Sequence, residues 1–169
     1  MTGRSAGILL YRITTHPPAG AAEADLEVLL VHPGGPFWAR KDLGAWSIPK
    51  GEYGDGDDPL QAALREFEEE TGRRPPGERL LALGTVRQRG GKQVTAWAAA
   101  AGELDLDAAQ LRSNTFTLEW PPRSGQLREF PEVDRAGWFD LPTARAKLVG
   151  AQAELLDRLV AALGSGQDP

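Results

Sequence analysis

The sequence predicts an α/β fold, because apolar runs typical of buried strands lie on both sides of one amphipathic helix and a second such helix follows them. The chain has 169 residues, so we expect one domain over residues 1–169. A polar tail at residues 164–169 is expected to fray. The predicted strands cover residues 6–11, 26–32, 80–86, 94–101 and 136–139.

The first helix is predicted at residues 59–71 from the signals at its ends. Asp58 suits the N-cap, where its side-chain oxygen can accept from a free backbone N–H, and Pro59 suits the first helical position. Gly72 suits the left-handed residue that closes a helix. A glycine-rich, acidic loop precedes the helix. The apolar stripe expected to face the core is formed by Leu60, Ala63, Leu64 and Phe67.

A second face of this helix is acidic. Its carboxylates recur at spacings that gather them on one side: Glu66, Glu69 and Glu70. Arg65 precedes Glu69 by one turn and can brace it. Carboxylates one turn apart repel by roughly a few tenths of a kcal/mol per pair, and a hard divalent cation that prefers oxygen ligands would offset this repulsion. The alternative interpretation is a solvated acidic helix face.

The loop and helix together resemble the Nudix box, Gly-x5-Glu-x7-Arg-Glu-U-x-Glu-Glu-x-Gly-U, where U is a bulky apolar residue. Within residues 51–73 the fixed positions are matched in register by Gly51, Arg65, Glu66, Phe67, Glu69, Glu70 and Gly72. Two positions differ. Asp57 stands at the first acidic position and is one methylene shorter, and Arg73 replaces the last apolar residue.

The resemblance implies a Nudix-type α/β/α sandwich with a mixed central sheet. It also implies Mg²⁺-dependent hydrolysis of a diphosphate linkage, with Mn²⁺ able to substitute. The metal ligands that it implies are Glu66, Glu69, Glu70 and the backbone carbonyl of Gly51. Arg65 would orient a ligand glutamate, and Glu69 or Glu70 would take the proton from the attacking water.

The region before the last predicted strand supplies further candidates. Nudix enzymes often draw an extra carboxylate from this part of the chain, as base or metal ligand, and Glu129 and Glu132 are the candidates here. The stretch 113–125 shows no generic chemical motif, and its Trp, Pro-Pro, Arg and Gly residues indicate an ordered loop. The last helix is predicted to begin near Leu141, with Asp140 as its cap.

Aromatic and cationic side chains in the loop 32–41 are candidates for substrate binding. Phe37 or Trp38 would cover a base or another apolar moiety, and Arg40 and Lys41 would meet phosphate. The alternative is a surface turn whose aromatic residues pack back on the core. Lys50, by the Nudix resemblance, would contact a substrate phosphate, against the alternative of a solvated lysine beside acidic residues.

A glycine turn joins the strands predicted at 80–86 and 94–101, and it is basic in an acidic protein. The turn, residues 87–92, contains three cations, Arg87, Arg89 and Lys92; Arg87 and Arg89 are candidate phosphate ligands, although a solvated turn explains them nearly as well. The substrate expected from the resemblance is a nucleotide, either a nucleoside triphosphate or a dinucleoside polyphosphate. A nucleotide sugar or an inositol polyphosphate is the alternative.

Two other classes of function remain open in the sequence. A Nudix-fold module that binds a nucleotide without cleaving it is one, and the intact glutamates argue against it. A serine hydrolase is the other, but there is no Gly-x-Ser-x-Gly motif, and the two histidines, His16 and His32, are predicted at loop edges.

Composition restricts the partners. The net charge of −5 makes bulk binding to nucleic acid unexpected, although a local basic site for a small anion is compatible with it. The absence of cysteine excludes disulfides and a thiol nucleophile, which fits the cytoplasm. No apolar run reaches membrane length. We expect a monomer or a homodimer that acts on a small nucleotide-type substrate.

Overall fold

The protein is built on a mixed sheet with helices on both faces. The computed structural model describes residues 3–14, 26–76, 78–104, 106–107 and 110–164. The strands are β1 (Arg4–Ile13), β2 (Leu26–Pro33), β3 (Lys50–Glu52), β4 (Leu80–Arg87), β5 (Gln93–Ala100), β6 (Thr115–Glu119), β7 (Leu127–Pro131) and β8 (Val133–Asp140). The helices are α1 (Pro59–Thr71), α2 (Leu141–Lys147) and α3 (Ala153–Gly164), with a short 3-10 helix at Gly150–Gln152.

The main sheet has the order β4-β5-β1-β2-β8, and β3 pairs with the start of β1. The β1 and β5 strands run parallel, with Ile8 opposite Trp97, whereas the other pairs are antiparallel. The expected mixed central sheet is therefore confirmed. It places the short β3 strand, and the box that follows it, beside the middle of the sheet.

The side chains of β1 contribute to the core on both faces of the sheet, because successive side chains of a strand point to opposite faces. Ile8 and Leu10 belong to one buried cluster with Phe67 of α1. Leu9 belongs to the other cluster, together with Leu155 of α3. Burial on both faces explains why β1 reads as a continuous apolar run. The expected α/β/α sandwich is confirmed.

Two parts of the chain differ from the sequence prediction. The stretch 113–125, predicted to be an ordered loop, contains β6, which pairs with β7 as a separate two-stranded hairpin. Each of these strands has five residues and no fully buried position, which explains why the sequence did not show them. The predicted last helix is two helices, because the chain leaves the helical conformation at Leu148. Asp140 caps α2 as expected, since its side chain accepts from the Thr143 N–H.

Some sequence predictions lie outside the described residues. These are the loop at 16–23, with His16, and residues 165–169 of the polar tail. Across the ranges given above, no helix has both the length and the apolar character needed to cross a membrane.

Candidate active site

Helix α1 has the predicted bounds and presents the acidic face. Asp58 accepts a hydrogen bond from the Gln61 N–H, and Gly72 closes the helix in the left-handed conformation at φ 74°. The helix rests on the sheet through Ala62, Ala63, Phe67 and Thr71, which are buried. Leu60 and Leu64, predicted for the core stripe, are only half-buried. Anchoring through Phe67 directs the glutamates at 66 and 70 toward β3.

Gly51 lies against the carboxylate of Glu66. A Cβ atom at position 51 would be 1.9 Å from the Glu66 Cδ, so a side chain at position 51 cannot coexist with this placement of Glu66. The Glu66 side chain is only 15% exposed, and Arg65 Nη2 donates to its Oε1 at 3.2 Å. Burial raises the pKa of Glu66, and the hydrogen bond from Arg65 opposes that effect.

Glu70 lies deeper than the other box carboxylates. The backbone N–H of Lys50 donates to Glu70 Oε2 at 3.0 Å, which joins the end of α1 to β3. Burial raises the pKa of Glu70 to about 8, against the opposing effects of the Lys50 backbone hydrogen bond and the Lys50 charge. Burial also lowers the pKa of the Lys50 ammonium. Lys50 is thus half-buried beside the box carboxylates and is not the solvated lysine of the alternative interpretation.

Arg65 bridges two of the box glutamates, as the sequence predicted for one of them. Besides its bond to Glu66, its Nε lies 3.8 Å from Glu69 Oε1. The Glu69 side chain is 38% exposed and so remains more accessible to solvent than Glu66. The backbone carbonyl of Glu69 accepts from the Asn114 N–H, which attaches the segment before β6 to the end of the helix.

Of the two extra carboxylate candidates, the structure brings Glu132 to the box. Its charge contributes to raising the pKa of both Glu66 and Glu70. The backbone holds it in place, because its N–H donates to the Asn114 carbonyl and its carbonyl accepts from the Gly34 N–H. Glu129 instead lies on the separate hairpin, where its Oε1 accepts from Thr115 Oγ1 at 2.7 Å.

A cavity of about 250 Å³ adjoins these carboxylates. Glu70, Glu132 and Lys50 line it at the box, Trp38 lines its rim, and its apolar wall includes Ile48 and Val149. Apolar walls with a few polar groups are typical of a small-molecule site. The box therefore opens into a concave, partly open cavity rather than onto a flat surface.

The cavity also contains a buried amide that the sequence analysis did not identify. Gln152 is fully buried and lines the cavity together with Ser47 and Gln88. Its Oε1 accepts from the Ile48 N–H at 3.0 Å, and its Nε2 donates to Ser47 Oγ and Gln88 Oε1, each at 3.0 Å. The available signal was weak: a single glutamine in the small apolar run just before α3.

The cationic candidates are dispersed. Lys41 Nζ lies 4.8 Å from the ring centroid of Trp38, and Trp38 lines the cavity, so the charge of Lys41 lies near the rim. Arg89 lines a depression that shares Gln88 and Val149 with the cavity. Arg40 and Arg87 are exposed and are not among the residues that line the cavity.

His32 lies in the core, whereas the sequence predicted a loop edge. It is fully buried, with Nδ1 2.8 Å from Asp134 Oδ1 and Nε2 2.6 Å from the Lys41 carbonyl oxygen. Both ring nitrogens are therefore occupied. This histidine fixes the loop that carries Trp38 and is not available as the base of a serine hydrolase.

The carboxylates of the box suit a hard cation, although by themselves they do not form a complete coordination shell. Among the residues that the structure describes, no three Asp, Glu or His side chains form a group that could hold a metal ion by themselves. Mg²⁺ does not need such a group, because it keeps several waters and binds through one or two carboxylates plus substrate phosphates. Burial raises the pKa of both Glu66 and Glu70, and the charge of Glu66 raises the pKa of Glu70 further. A cation bound between them would stabilise the charged form of both carboxylates and so oppose the rise in their pKa values.

Comparison with known sequences agrees with this geometry. The sequence model of the NUDIX domain matches residues 2–159. The chain belongs to the NUDIX family. The Nudix chain is 35% identical over 135 residues to an 8-oxo-(d)GTP phosphatase from Mycolicibacterium smegmatis, a match that covers 79% of this chain and 39% of that protein. It is also 35% identical over 105 residues to an octanoyltransferase from Myxococcus xanthus, covering 62% of this chain and 25% of the other. The chain thus spans less than half the length of either relative.

Solved structures share the Nudix fold. An Ap4A hydrolase from C. elegans in a binary complex has a TM-score of 0.60 and 22% identity, with 97% of this chain and 99% of that chain covered. The NUDIX domain of NrtR from Shewanella oneidensis, complexed with ADP ribose, has a TM-score of 0.58 and 17% identity, covering 96% and 89%. At these identities the likeness establishes the fold and no more.

Proposed function

We propose that this Nudix domain hydrolyses a diphosphate linkage in a nucleotide-type substrate with the help of Mg²⁺ or Mn²⁺. The observation that carries the proposal is the position of Glu70 and Glu132, which line the cavity at the point where the Nudix box faces it. The proposed substrates are a nucleoside triphosphate or a dinucleoside polyphosphate. The name of the 8-oxo-(d)GTP phosphatase, which is 35% identical over 135 residues, supports this substrate class.

The residues proposed to hold the cation are Glu66, Glu69, Glu70 and the carbonyl of Gly51. Mg²⁺, when bound, supplies charge neutralisation at phosphate oxygens and acidifies water for attack. Arg65 acts on the carboxylates rather than on the substrate, because its guanidinium contacts both Glu66 and Glu69. It holds their side chains on the face that meets the phosphate chain, as outer partners of metal ligands commonly do.

The chain itself supplies substrate binding and proton acceptance. A nucleobase fits the apolar cavity beside the ring of Trp38, and Lys41 above that ring adds positive charge at the rim. Arg89 is the proposed partner of phosphates that extend into the neighbouring depression. A carboxylate must take the proton of the attacking water, and Glu69, Glu70 and Glu132 are the candidates near the box.

The two extra carboxylates allow a matched prediction. We expect Glu132→Gln to lower kcat by about tenfold or more, because the carboxylate beside Glu66 and Glu70 is lost. Glu129→Gln removes the same charge from the neighbouring hairpin, where the carboxylate only accepts from Thr115, and should leave kcat within about twofold of wild type. Steady-state kinetics of both variants make the comparison. Equal effects of the two substitutions would contradict a role for Glu132 at the site.

The function is tested with a panel of nucleoside triphosphates, dinucleoside polyphosphates, nucleotide sugars and inositol polyphosphates. Each compound is incubated with the protein and Mg²⁺, and with EDTA as the control. Mass analysis of products formed in ¹⁸O-labelled water identifies the cleaved bond. We expect EDTA-sensitive hydrolysis of a nucleotide in which one of the two products carries a single labelled oxygen. Tight nucleotide binding without any product would instead indicate a non-catalytic Nudix module.

A further inference from the structure

The buried side-chain amide of Gln152, which lines the cavity, fixes the orientation of the Gln88 amide. A backbone N–H can only donate, so the Ile48 N–H requires an acceptor, and the atom 3.0 Å from it is therefore Gln152 Oε1. The amide nitrogen of Gln152 must then face the opposite way, toward Ser47 Oγ and Gln88. The atom of Gln88 that receives this N–H is consequently its oxygen, Oε1.

Ser47 is compatible with this assignment, which the Ile48 N–H decides, because the Ser47 hydroxyl lies 3.0 Å from Gln152 Nε2 and 3.3 Å from Gln152 Oε1 and can donate or accept. Its hydroxyl donates to the Ile48 carbonyl at 2.7 Å, so its oxygen is free to accept from Gln152 Nε2 at 3.0 Å. Reversing the Gln152 amide would place its NH₂ group against the Ile48 N–H and leave two donors facing each other in a fully buried position. The chain of hydrogen bonds thus runs from the backbone of Ile48 to the side chain of Gln88.

With its oxygen turned to Gln152, Gln88 keeps its NH₂ group for other partners. Among the residues that the structure describes, none accepts a hydrogen bond from Gln88 Nε2, although Gln88 is half-buried and lines the cavity. The backbone of Gln88 is itself held, because its N–H donates to the Lys92 carbonyl and its carbonyl accepts from the Gly91 N–H. Both the main chain and the side chain of this residue are therefore positioned before any ligand arrives.

We propose that the side-chain NH₂ group of Gln88 donates a hydrogen bond to the nucleobase of the substrate. Gln152 holds the Gln88 amide in the orientation that makes it a donor. The inference rests on the proposed function of the cavity. A donor at this point favours a base edge with an acceptor, such as the 6-oxo group of a 6-oxopurine. It disfavours the 6-amino group of adenine, because two donors would meet. Trp38, at the rim of the same cavity, provides the aromatic face on which a purine would stack.

The test compares ligands that differ at this edge. Inosine and adenosine diphosphates share the sugar and the phosphates, and the first carries a 6-oxo group where the second carries a 6-amino group. Their dissociation constants are measured by isothermal titration calorimetry, and kcat/KM is measured for the corresponding triphosphates with Mg²⁺. We expect the wild-type protein to prefer the inosine form by about tenfold, the size expected when a buried donor lacks its acceptor.

Two variants test the assignment of roles. Gln88→Glu keeps the shape and still accepts from Gln152, but it replaces the NH₂ donor with an acceptor, and we expect the preference to turn toward adenosine. Gln152→Met preserves the approximate volume and removes the anchor of Gln88, so the preference should fall to near unity. Gln126→Glu, on the exposed hairpin, adds the same charge as Gln88→Glu and should leave the preference unchanged. A thermal melt of each variant confirms that it is folded.

The outcomes separate this inference from the proposed function. If the wild-type protein hydrolyses nucleotides but binds the two diphosphates equally, Gln88 does not recognise the base, and the proposed hydrolase activity is still supported. An unchanged inosine preference in folded Gln88→Glu would overturn the inference in the same way. A preference that reverses in Gln88→Glu and disappears in Gln152→Met would support it, even with a protein that proved to bind nucleotides without cleaving them.

Discussion

Glu70→Gln is expected to lower kcat by about a thousandfold or more, the size that loss of a central catalytic or metal-binding carboxylate can reach. Glu70 is the most deeply placed box carboxylate, and it lines the cavity where it accepts from the Lys50 N–H. Glutamine keeps the shape and an oxygen for that hydrogen bond. It removes the charge that would attract a cation or accept a proton. Glu69→Gln is expected to lower turnover by orders of magnitude for the same reason.

The fold should tolerate the Glu70 substitution, which distinguishes loss of chemistry from loss of structure. A buried carboxylate without a bound cation disfavours the folded state, so the melting temperature of metal-free Glu70→Gln should equal or exceed that of wild type. Glu68→Gln is the matched control, because Glu68 is on the same helix but points to solvent, where it pairs with Arg74 at 3.3 Å. Near wild-type turnover in both Glu69→Gln and Glu70→Gln would reject the assigned roles.

Gly51→Ala is expected to lower kcat by about a hundredfold, because misplacing a catalytic group by roughly an ångström has an effect of this size. The added Cβ would lie 1.9 Å from the Glu66 Cδ and 2.0 Å from its Oε2. The clash is with the carboxyl end of the side chain, so Glu66 must leave its position beside the Gly51 backbone. Because the clash is with the end of a flexible side chain that can move aside, we expect the free energy of unfolding to fall by less than about 1 kcal/mol.

Gly54→Ala is the control for the Gly51 prediction. It changes another glycine of the same loop, but its Cβ would meet only the Asp57 carboxylate, at 3.4 Å, which is an ordinary contact. The kinetics of the two variants should therefore differ clearly, whereas urea denaturation should show that both variants are folded. A Gly51→Ala protein with normal kcat would show that Glu66 need not occupy the place seen here.

The sequence predicted those parts of the site that depend on local chemistry. The bounds of α1 follow from Asp58 and Gly72, and both caps are confirmed. The mixed sheet and the layers of helices followed from the family resemblance rather than from strand periodicity, because β1 is buried on both faces and shows no alternation. The hairpin of β6 and β7 was missed because each strand has only five residues: β6 alternates over just two half-buried positions, Phe116 and Leu118, and β7 is exposed at four of its five positions.

Long-range placement could not be read from the sequence. Nothing in the sequence separates Glu129 from Glu132, since the distinction depends on the strand in which each lies and on what packs against it. His32 was misplaced because its two partners, Asp134 and the Lys41 carbonyl, come from different segments. Gln152 lies 104 residues from Ile48, the backbone group that fixes it, and only the fold brings them together.

The central claim is that the box carboxylates hold a divalent cation at the mouth of the cavity. Electron paramagnetic resonance of Mn²⁺ titrated into the protein, with inosine diphosphate present, measures that binding directly. We predict that wild type and Glu68→Gln bind Mn²⁺ alike, and that Glu70→Gln and Glu66→Gln bind it at least about tenfold more weakly, as expected when a ligand is removed. Equal Mn²⁺ affinity in all four proteins would place the cation elsewhere and contradict the account.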